Sequence, residues 1–309
     1  MTLLTGLLAT FVTIYLLWNL RGPTGFILSL RAERLAALIL VGAASGTATI
    51  IFQTIANNRL LTPGIVGFDS LFVFLQTMLV LSLGGLGYTA LPDTPKFVAE
   101  TACLVGAAML LFGLLFRKGA EDVIRMILTG VILGVLLRGL AGFAQRLLDP
   151  SEFAIVQQAQ FASFNVINDD QLTIAAIAVA LALLASLWIA PSLDVAALGR
   201  TKARTLGLAH DQLVLSALAI ISVLIAVSTA LVGPITFLGL LSAGLAHLVL
   251  RDHRHMVLIP AAAVIGAAIL VAGQAVFERL LGLQSALGVI VEFVGGLLFL
   301  LLVLRRPAR

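Results

Sequence analysis

Two ionisable residues stand inside long apolar stretches of the sequence. Arg138 lies near the middle of the stretch Met126–Leu148, and Glu292 lies within the stretch Ala286–Leu304. Stretches of this length are typical of helices that cross a membrane, where a charged side chain is costly and therefore marks a functional candidate. Arg138 and Glu292 could contact a substrate, line a wet cavity, or pair at a buried helix interface.

Four further ionisable residues are weaker candidates for a functional role. Asp69 and Glu100 lie nearer the ends of apolar stretches, where contact with headgroup water is expected. His253 and His255 belong to the charged segment RDHRH, and we interpret them as solvated loop residues. None of the chain's four histidines follows the H-E-x-x-H pattern of a zinc peptidase. The sequence therefore predicts no metal site.

The sequence contains no nucleotide-binding motif. A P-loop needs the pattern G-x-x-x-x-G-K-[ST], and the chain has no Gly-Lys pair. If transport is driven by ATP, the ATP and its Mg²⁺ must be used by a partner ATPase, and we expect this chain to bind no cofactor. The single cysteine cannot form an internal disulfide. We therefore expect no catalytic residue and no enzymatic activity.

The composition excludes an ordinary water-soluble enzyme. Hydrophobic residues make up 61% of the 309 residues and charged residues 11%, whereas soluble domains have roughly 45–50% and about 25%. The chain carries 19 basic and 15 acidic residues. In a membrane protein this excess more often sets orientation than binds nucleic acid, so no nucleic-acid partner is expected.

The apolar stretches predict an all-α membrane protein with one transmembrane domain over residues 1–309. Unpaired backbone groups are costly in lipid, so stretches of this length should be helices, and the alternation of a β-barrel is missing. The eighth stretch is short and directly follows Gly233 and Pro234, which indicates a tight turn or a half-helix. The roughly ten predicted spans are Leu3–Leu20, Leu35–Ile55, Gly64–Gly84, Phe97–Phe116, Met126–Leu148, Leu172–Ala190, Leu213–Val232, Ile235–Leu250, Met256–Phe277 and Ala286–Leu304.

The distribution of Lys and Arg predicts the orientation of the spans. Placing both termini in the cytoplasm puts about twice as many basic residues in the cytoplasmic loops as in the outer loops, as the positive-inside rule requires. Two polar segments are longer than a turn. Residues 191–212 lie on the cytoplasmic side and are expected to form one or two short helices that dock a partner. Residues 149–171 lie outside and are expected to form a short surface helix.

Glycines stand in several of the spans, among them Gly42, Gly46, Gly130 and Gly134. Gly130 and Gly134 are four residues apart and therefore share one helix face. Small residues on one face allow a neighbouring helix to approach closely. The spacing predicts tight helix packing at these positions.

Four ordered blocks of the sequence resemble the permease subunits of ABC importers for iron-siderophores, haem and cobalamin, the FecCD or BtuC-like family. The first block runs from Arg31 to Gly67, and LTGVILG forms the second. The third, AALGRTKARTLGL, is similar to the family's cytoplasmic coupling loop. The fourth comprises LVGPITFLGLL and DHRHMVLIP. The sequence departs from the family pattern at the outer rim, near Ala162 and Ser163, as expected of a branch in which two different permeases pair.

The resemblance implies a BtuC-like type II importer bundle in the inner membrane of a bacterium. A second permease, identical or different, would complete the pathway. Two cytosolic ATPases would supply the energy, and a periplasmic or lipoprotein binding protein would deliver a ferric siderophore, of which a catecholate complex is one candidate. The residues carried over for ATPase coupling are Leu198, Gly199, Ala203, Arg204, Leu206 and Gly207. Those for binding-protein docking are Arg31, Arg34 and Arg279. The pathway candidates are Gln53, Asn58, Pro63, Arg138 and Glu292.

A second hypothesis remains open at this point. Ionisable residues inside spans are also typical of secondary transporters. Glu292 and Arg138 could therefore belong to a proton-coupled transporter that needs no ATPase.

Overall fold

The computed structural model describes residues 1–18, 24–116, 123–164, 167–280 and 287–304. These residues form helices, turns and loops without a strand, which confirms the all-α class. In addition to a π-helical turn at Gly64–Phe68, they contain the α-helices α1 (Thr2–Leu17), α2 (Thr24–Ile55), α3 (Asp69–Ala90), α4 (Asp93–Phe116), α5 (Val123–Gln145), α6 (Pro150–Ala159), α7 (Asp169–Ala196), α8 (Arg200–Thr205), α9 (His210–Val232), α10 (Leu238–Val249), α11 (His255–Leu280) and α12 (Leu287–Leu304).

Six of the helical stretches in the described part of the chain are long and apolar enough to cross a membrane. They correspond to α2, the π-helical turn with α3, α5, α7, α9 and α11. Three shorter apolar helical stretches lie at Thr2–Leu17, Leu238–Val249 and Gly288–Leu297. The chain is therefore a multi-pass membrane protein, and the count of ten spans stays a prediction.

Helix α2 lies at the centre of the bundle. It contacts α1, α7, α9, α10 and α11, and nearly every residue from Leu35 to Ile55 is buried. A helix that is apolar on all sides is expected to be surrounded by other helices. These five helices therefore pack around α2.

The closest helix crossing joins α2 to α11. A side chain at Gly42 would collide with the backbone of Gly266 and Ala267, and one at Gly46 would collide with the carbonyl of Ala262. Lipid tails are as apolar as the helices, so association depends on this kind of close van der Waals packing. The small residues of α2 thus set its distance from α11.

Two interruptions of the helices meet inside the bundle. The π-helical turn contains Gly67 at a φ of 120°, and the backbone of Gly130 and Gly134 on α5 packs against it. The close approach predicted at these two glycines of α5 is confirmed. The second interruption begins at Gly233, with a φ of 98°, and continues to the short helix α10. The predicted half-helix is therefore also confirmed.

The outer segment predicted over residues 149–171 contains the short helix α6. Its Glu152 accepts a hydrogen bond from the backbone amide of Gly85, at 2.9 Å, beside the break in α3 at Gly84. Val156 is buried against Val80 and Tyr88. The helix therefore packs on α3 through this side.

The segment predicted over residues 191–212 contains the end of α7 and the short helix α8. Helix α7 continues through Pro191 to Ala196, and the start of the cytoplasmic segment at residue 191 stays a prediction. Ala190 and Leu193 are fully buried on either side of the proline. Their packing stabilises a helix that proline would otherwise interrupt.

The α2–α11 crossing generates a stability prediction. Gly42→Leu should lower the free energy of unfolding by about 3 kcal/mol or more, the upper end for overpacked sites, because backbone atoms cannot move aside. The measurement is the unfolding temperature of the detergent-solubilised protein.

Gly106→Leu is the matched control, because nothing lies within 4 Å of a side chain at that position of α4. It should leave the unfolding temperature unchanged or raise it, since Leu favours helix more than Gly. Equal unfolding temperatures for Gly42→Leu and Gly106→Leu would contradict the close approach of α2 and α11 at Gly42.

Candidate functional site: an intramembrane cluster and an exposed coupling segment

Asp69 stands where the two helix interruptions meet. It is the first residue of α3 and is 9% exposed. The hydroxyl of Thr236 donates a hydrogen bond to its carboxylate, with an Oγ1–Oδ2 distance of 2.5 Å. The expected contact of Asp69 with headgroup water is therefore wrong, because the π-helical turn carries the start of α3 into the bundle.

A small polar cavity adjoins this carboxylate. Its volume is about 20 Å³, which is room for about one water molecule. Its walls include Asp69 and Thr236, the hydroxyl side chains of α2 and α9, and Pro63. The hydroxyl residues are Ser45, Thr49, Ser228 and Thr229. The pathway candidate Pro63 is thus buried beside Asp69.

Arg138 and Glu292 converge on the same place. The positive charge of Arg138 on α5 lies close enough to the Asp69 carboxylate to attract it. Glu292 on α12 is half-buried, close enough to Asp69 for repulsion, and forms a hydrogen bond with the backbone of Thr236. We call Asp69, Arg138, Thr236 and Glu292 the intramembrane cluster. The sequence indicated two of its members, while Thr236 carried no signal beyond its place in the fourth block.

Arg138 lies on an exposed face of α5. The other exposed large side chains of α5 are apolar and are spread around the helix: Leu128, Ile132, Val135, Leu136, Leu140 and Phe143. A guanidinium in the middle of a span costs about 2.5–3.5 kcal/mol or more in lipid. The position of Arg138 is therefore poorly suited to lipid and fits contact with protein or water.

The remaining pathway candidates lie elsewhere. Gln53 and Asn58 hold the turn after α2: the Gln53 amide donates to the carbonyl of Arg59 at 2.7 Å, and Asn58 accepts from the amide of Leu60 at 3.0 Å. Gln53 is buried, whereas Asn58 is exposed. The five pathway candidates thus fall into two groups, one around Asp69 and one at the end of α2.

The residues predicted for ATPase coupling form a compact turn–helix–turn, residues 197–209, that we call the coupling segment after this prediction. Gly199, with a φ of 94°, precedes α8, and Gly207, with a φ of 84°, follows it. The amide of Leu208 donates to the carbonyl of Ala203 at 3.0 Å. This is a Schellman ending, for which Gly207 supplies the left-handed residue.

The coupling segment has one buried and one exposed side. Ala203 is fully buried against the bundle, whereas Leu198 and Leu206 are 53% and 65% exposed. Arg204 and Arg200 both donate to the carboxylate of Asp211 at the start of α9, at 2.5 and 3.2 Å. Asp211 therefore holds α8 in place, a role that the sequence did not indicate.

A chain of hydrogen bonds ties the end of α7 to α11 and α2. Asp194 accepts from the backbone amide of His255 at 2.8 Å and contacts its Nδ1 at 2.6 Å. The Nε2 of His255 lies 2.7 Å from the hydroxyl of Thr54. His255 is only 4% exposed, so its interpretation as a solvated loop residue is wrong. The cause is its position as the first residue of α11, facing the bundle.

The predicted docking arginines are at the opposite end of the bundle. Arg31 is buried, and its guanidinium donates to the carbonyls of Leu16 and Trp18, at 2.6 and 3.1 Å. It therefore caps α1, and its burial does not suit a docking role. Arg34 is partly exposed and pairs with Glu278 at 3.5 Å. The side chain of Arg279 lies outside the described residues.

A second cavity lies at this opposite end, between α3, α4 and α6, and has a volume of about 360 Å³. Its walls include Glu100, Tyr88 and Lys96. The ammonium of Lys96 lies 3.3 Å from the centre of the Tyr88 ring, and the Tyr88 hydroxyl donates to Gln76 at 2.7 Å. Glu100 therefore lines an amphipathic cavity that the sequence did not predict.

Comparison with known proteins gives a consistent picture. The model of the FecCD transport family matches residues 4–305. The chain is 37% identical to the petrobactin import system permease protein YclO of Bacillus subtilis over 306 residues, which is 98% of this chain and 96% of that protein. It is 29% identical to the ferric enterobactin transport system permease protein FepD of Escherichia coli, over 91% and 82% of the two chains.

A solved structure shows the same fold. It is described as an ABC transporter assigned to the metal-chelate type, in an inward-facing conformation. The TM-score is 0.85, with 22% sequence identity, and the alignment covers 99% of this chain and 98% of that chain.

The ion pairs of Asp211 generate a testable prediction. Asp211→Asn should raise amide hydrogen exchange in α8 by about two- to fivefold, because exposed ion pairs contribute about 0.2–1 kcal/mol each. Hydrogen–deuterium exchange with mass spectrometry measures this. Asp252→Asn, at an exposed carboxylate that accepts from the amide of Arg254, should leave α8 unchanged. If amide hydrogen exchange in α8 is unaltered in Asp211→Asn, the Asp211 carboxylate does not hold α8 in place.

Proposed function

Since the chain belongs to the FecCD transport family and is a permease subunit of an ABC importer, we propose that it conducts a ferric siderophore across the cytoplasmic membrane of a bacterium. The observation that carries the substrate class is the 37% identity to a petrobactin import permease over nearly the whole of both chains. The names of other relatives, among them a ferric enterobactin permease, support the same class.

The pathway runs beside the intramembrane cluster in this proposal. Arg138 lies on the exposed face of α5 and needs a polar environment. A second permease packed against this face, identical or different, would enclose an aqueous passage that provides it. An anionic chelate would be attracted to Arg138, while Asp69 and Glu292 limit how strongly it is held.

The coupling segment is the proposed docking site of the ATPases, of which two serve the pair of permeases. Leu198 and Leu206 are exposed apolar side chains at a polar end of the bundle, which is typical of a protein contact. Burial of Ala203 and the bonds of Asp211 keep α8 rigid enough to transmit a push. ATP and Mg²⁺ belong to those partners.

The binding protein would dock at the opposite end of the bundle. Arg34 is the described residue best placed to meet an acidic lobe of the binding protein. Its ion pair with Glu278 must then be replaced by one with that lobe. We further propose ten spans, one domain over residues 1–309, and both termini in the cytoplasm. The coupling segment is then cytoplasmic and α6 external, as the Lys and Arg distribution favours.

The proton-coupled alternative has lost its basis. It depended on Glu292 and Arg138 as isolated ionisable residues inside spans. Membership of an ABC importer family assigns the energy source to a partner ATPase.

Uptake of a labelled ferric siderophore tests the pathway. In vesicles carrying the complete importer, uptake should require ATP and persist when the proton gradient is collapsed. Arg138→Gln should lower it about tenfold, the factor that corresponds to about 1.4 kcal/mol of lost attraction.

Arg146→Gln is the matched control for uptake. Arg146 is exposed just beyond the end of α5, away from the intramembrane cluster, so this variant should transport like the wild type. Uptake that follows the proton gradient and ignores ATP would refute the proposed function. Normal uptake by the Arg138 variant would refute its place in the pathway.

Leu206→Glu tests the docking of the ATPase. A carboxylate at this 65% exposed position should greatly reduce the amount of ATPase that co-purifies with the permease, because a charge would be buried in the contact. Leu86→Glu, at an 89% exposed position near the opposite end of the bundle, should retain the ATPase. Wild-type recovery of ATPase by the Leu206 variant would contradict the assignment.

A further inference from the structure

The small cavity beside Asp69 is lined by hydroxyl groups that have no partner. Ser45, Thr49 and Thr229 are 6%, 1% and 6% exposed, and their hydroxyls form no hydrogen bond within the described part of the chain. Their oxygens are open to the cavity, whereas the equally unpartnered oxygen of Thr47 on α2 is fully enclosed. A polar group left unpaired inside a protein is costly. These hydroxyls therefore indicate a ligand in the cavity.

Two glycines leave room for oxygen atoms around this cavity. A side chain at Gly64 would come within 2.6 Å of the Asp69 carboxylate, and one at Gly239 would collide with the hydroxyl of Thr49. Both glycines line the cavity. The backbone is therefore shaped around a carboxylate of α3 and a hydroxyl of α2.

The charges beside the cavity do not balance. The intramembrane cluster holds two carboxylates, those of Asp69 and Glu292, and one guanidinium, that of Arg138. With all three groups ionised, one negative charge is in excess. An uncompensated charge is costly at membrane depth. One additional positive charge beside Asp69 would neutralise the cluster.

A monovalent alkali cation meets both requirements. Hard cations bind the oxygens of carboxylates, hydroxyls and backbone carbonyls, and interrupted helices present such oxygens to Na⁺ in other membrane proteins. The volume of about 20 Å³ accommodates one body the size of a water molecule, and a dehydrated Na⁺ is no larger. A water molecule would satisfy the hydroxyls but leave the charge. A divalent cation would leave the cluster positive.

We propose that this cavity binds Na⁺ through the carboxylate of Asp69 and the hydroxyls of Ser45, Thr49 and Thr229. The ion would join α2, the start of α3 and the last turn of α9. Thr229 and Gly233 also line the second cavity, of about 360 Å³, which offers the ion a route of entry. A site built from the oxygens of three helices has no spacing pattern in the sequence, so the search for histidine motifs could not detect it.

The test is a binding measurement that does not depend on transport, so its failure leaves the proposed function intact. The complete importer in detergent is titrated with radioactive Na⁺ at fixed pH, with choline chloride keeping the ionic strength constant. A scintillation proximity assay records the bound ion. Binding should saturate, and unlabelled Na⁺ should displace the label whereas choline, which is too large for the cavity, should not.

Thr49→Val should weaken Na⁺ binding by about tenfold, because the ion loses one ligand, a loss of about 1.4 kcal/mol. Thr47→Val is the matched control, since this residue lies on the same helix and its buried hydroxyl does not line the cavity. It should bind Na⁺ like the wild type. Neither variant removes a hydrogen bond within the described residues, so folding is not at risk.

Asp69→Asn removes the negative charge, keeps an oxygen for Thr236, and should weaken binding more than Thr49→Val does. Its unfolding temperature shows whether the variant is folded, and Thr49→Val decides the question if it is not. The proposal would be overturned by binding that does not saturate, by displacement with choline as effective as with Na⁺, or by equal affinities in the Thr49 and Thr47 variants. Wild-type binding by a folded Asp69 variant would overturn it as well.

Discussion

The fold depends on hiding irregular backbone from lipid. Non-helical backbone is tolerated at membrane depth only where protein or an aqueous cavity surrounds it. Both interruptions, at Gly67 and Gly233, lie inside the bundle, and the hydrogen bond from Thr236 to Asp69 joins them. The glycines of α5 and the crossing of α2 with α11 bring the surrounding helices close enough to cover these interruptions. The carboxylate inside the bundle therefore follows from the same packing that makes the breaks possible.

Much of this architecture could be predicted from apolar periodicity and small residues. The predicted spans correspond to helices in order, and the Gly130 and Gly134 spacing correctly predicted a close approach. The count of ten spans is not settled by helix length and composition. The course of α7 through Pro191 could not be predicted, because it depends on the burial of Ala190 and Leu193, which local preference does not report.

The candidate site was predictable only in part. Motif resemblance located α8 and its flanking glycines, whose left-handed angles explain why glycine stands there. The environments of Asp69 and His255 were assigned wrongly, because each begins a helix that tertiary packing turns into the bundle. The partners Thr236 and Asp194 are distant in sequence, and single-chain patterns carry no information about such pairs.

The hydrogen-bonded chain from Asp194 through His255 to Thr54 has a mechanical consequence. Asp194 lies three residues before the coupling segment, so this end of α7 is tied to α11 and, through His255, to Thr54 of α2. If an ATPase pushes on α8, as proposed above, these bonds would pass the movement to the central helix and keep the end of α7 from bending.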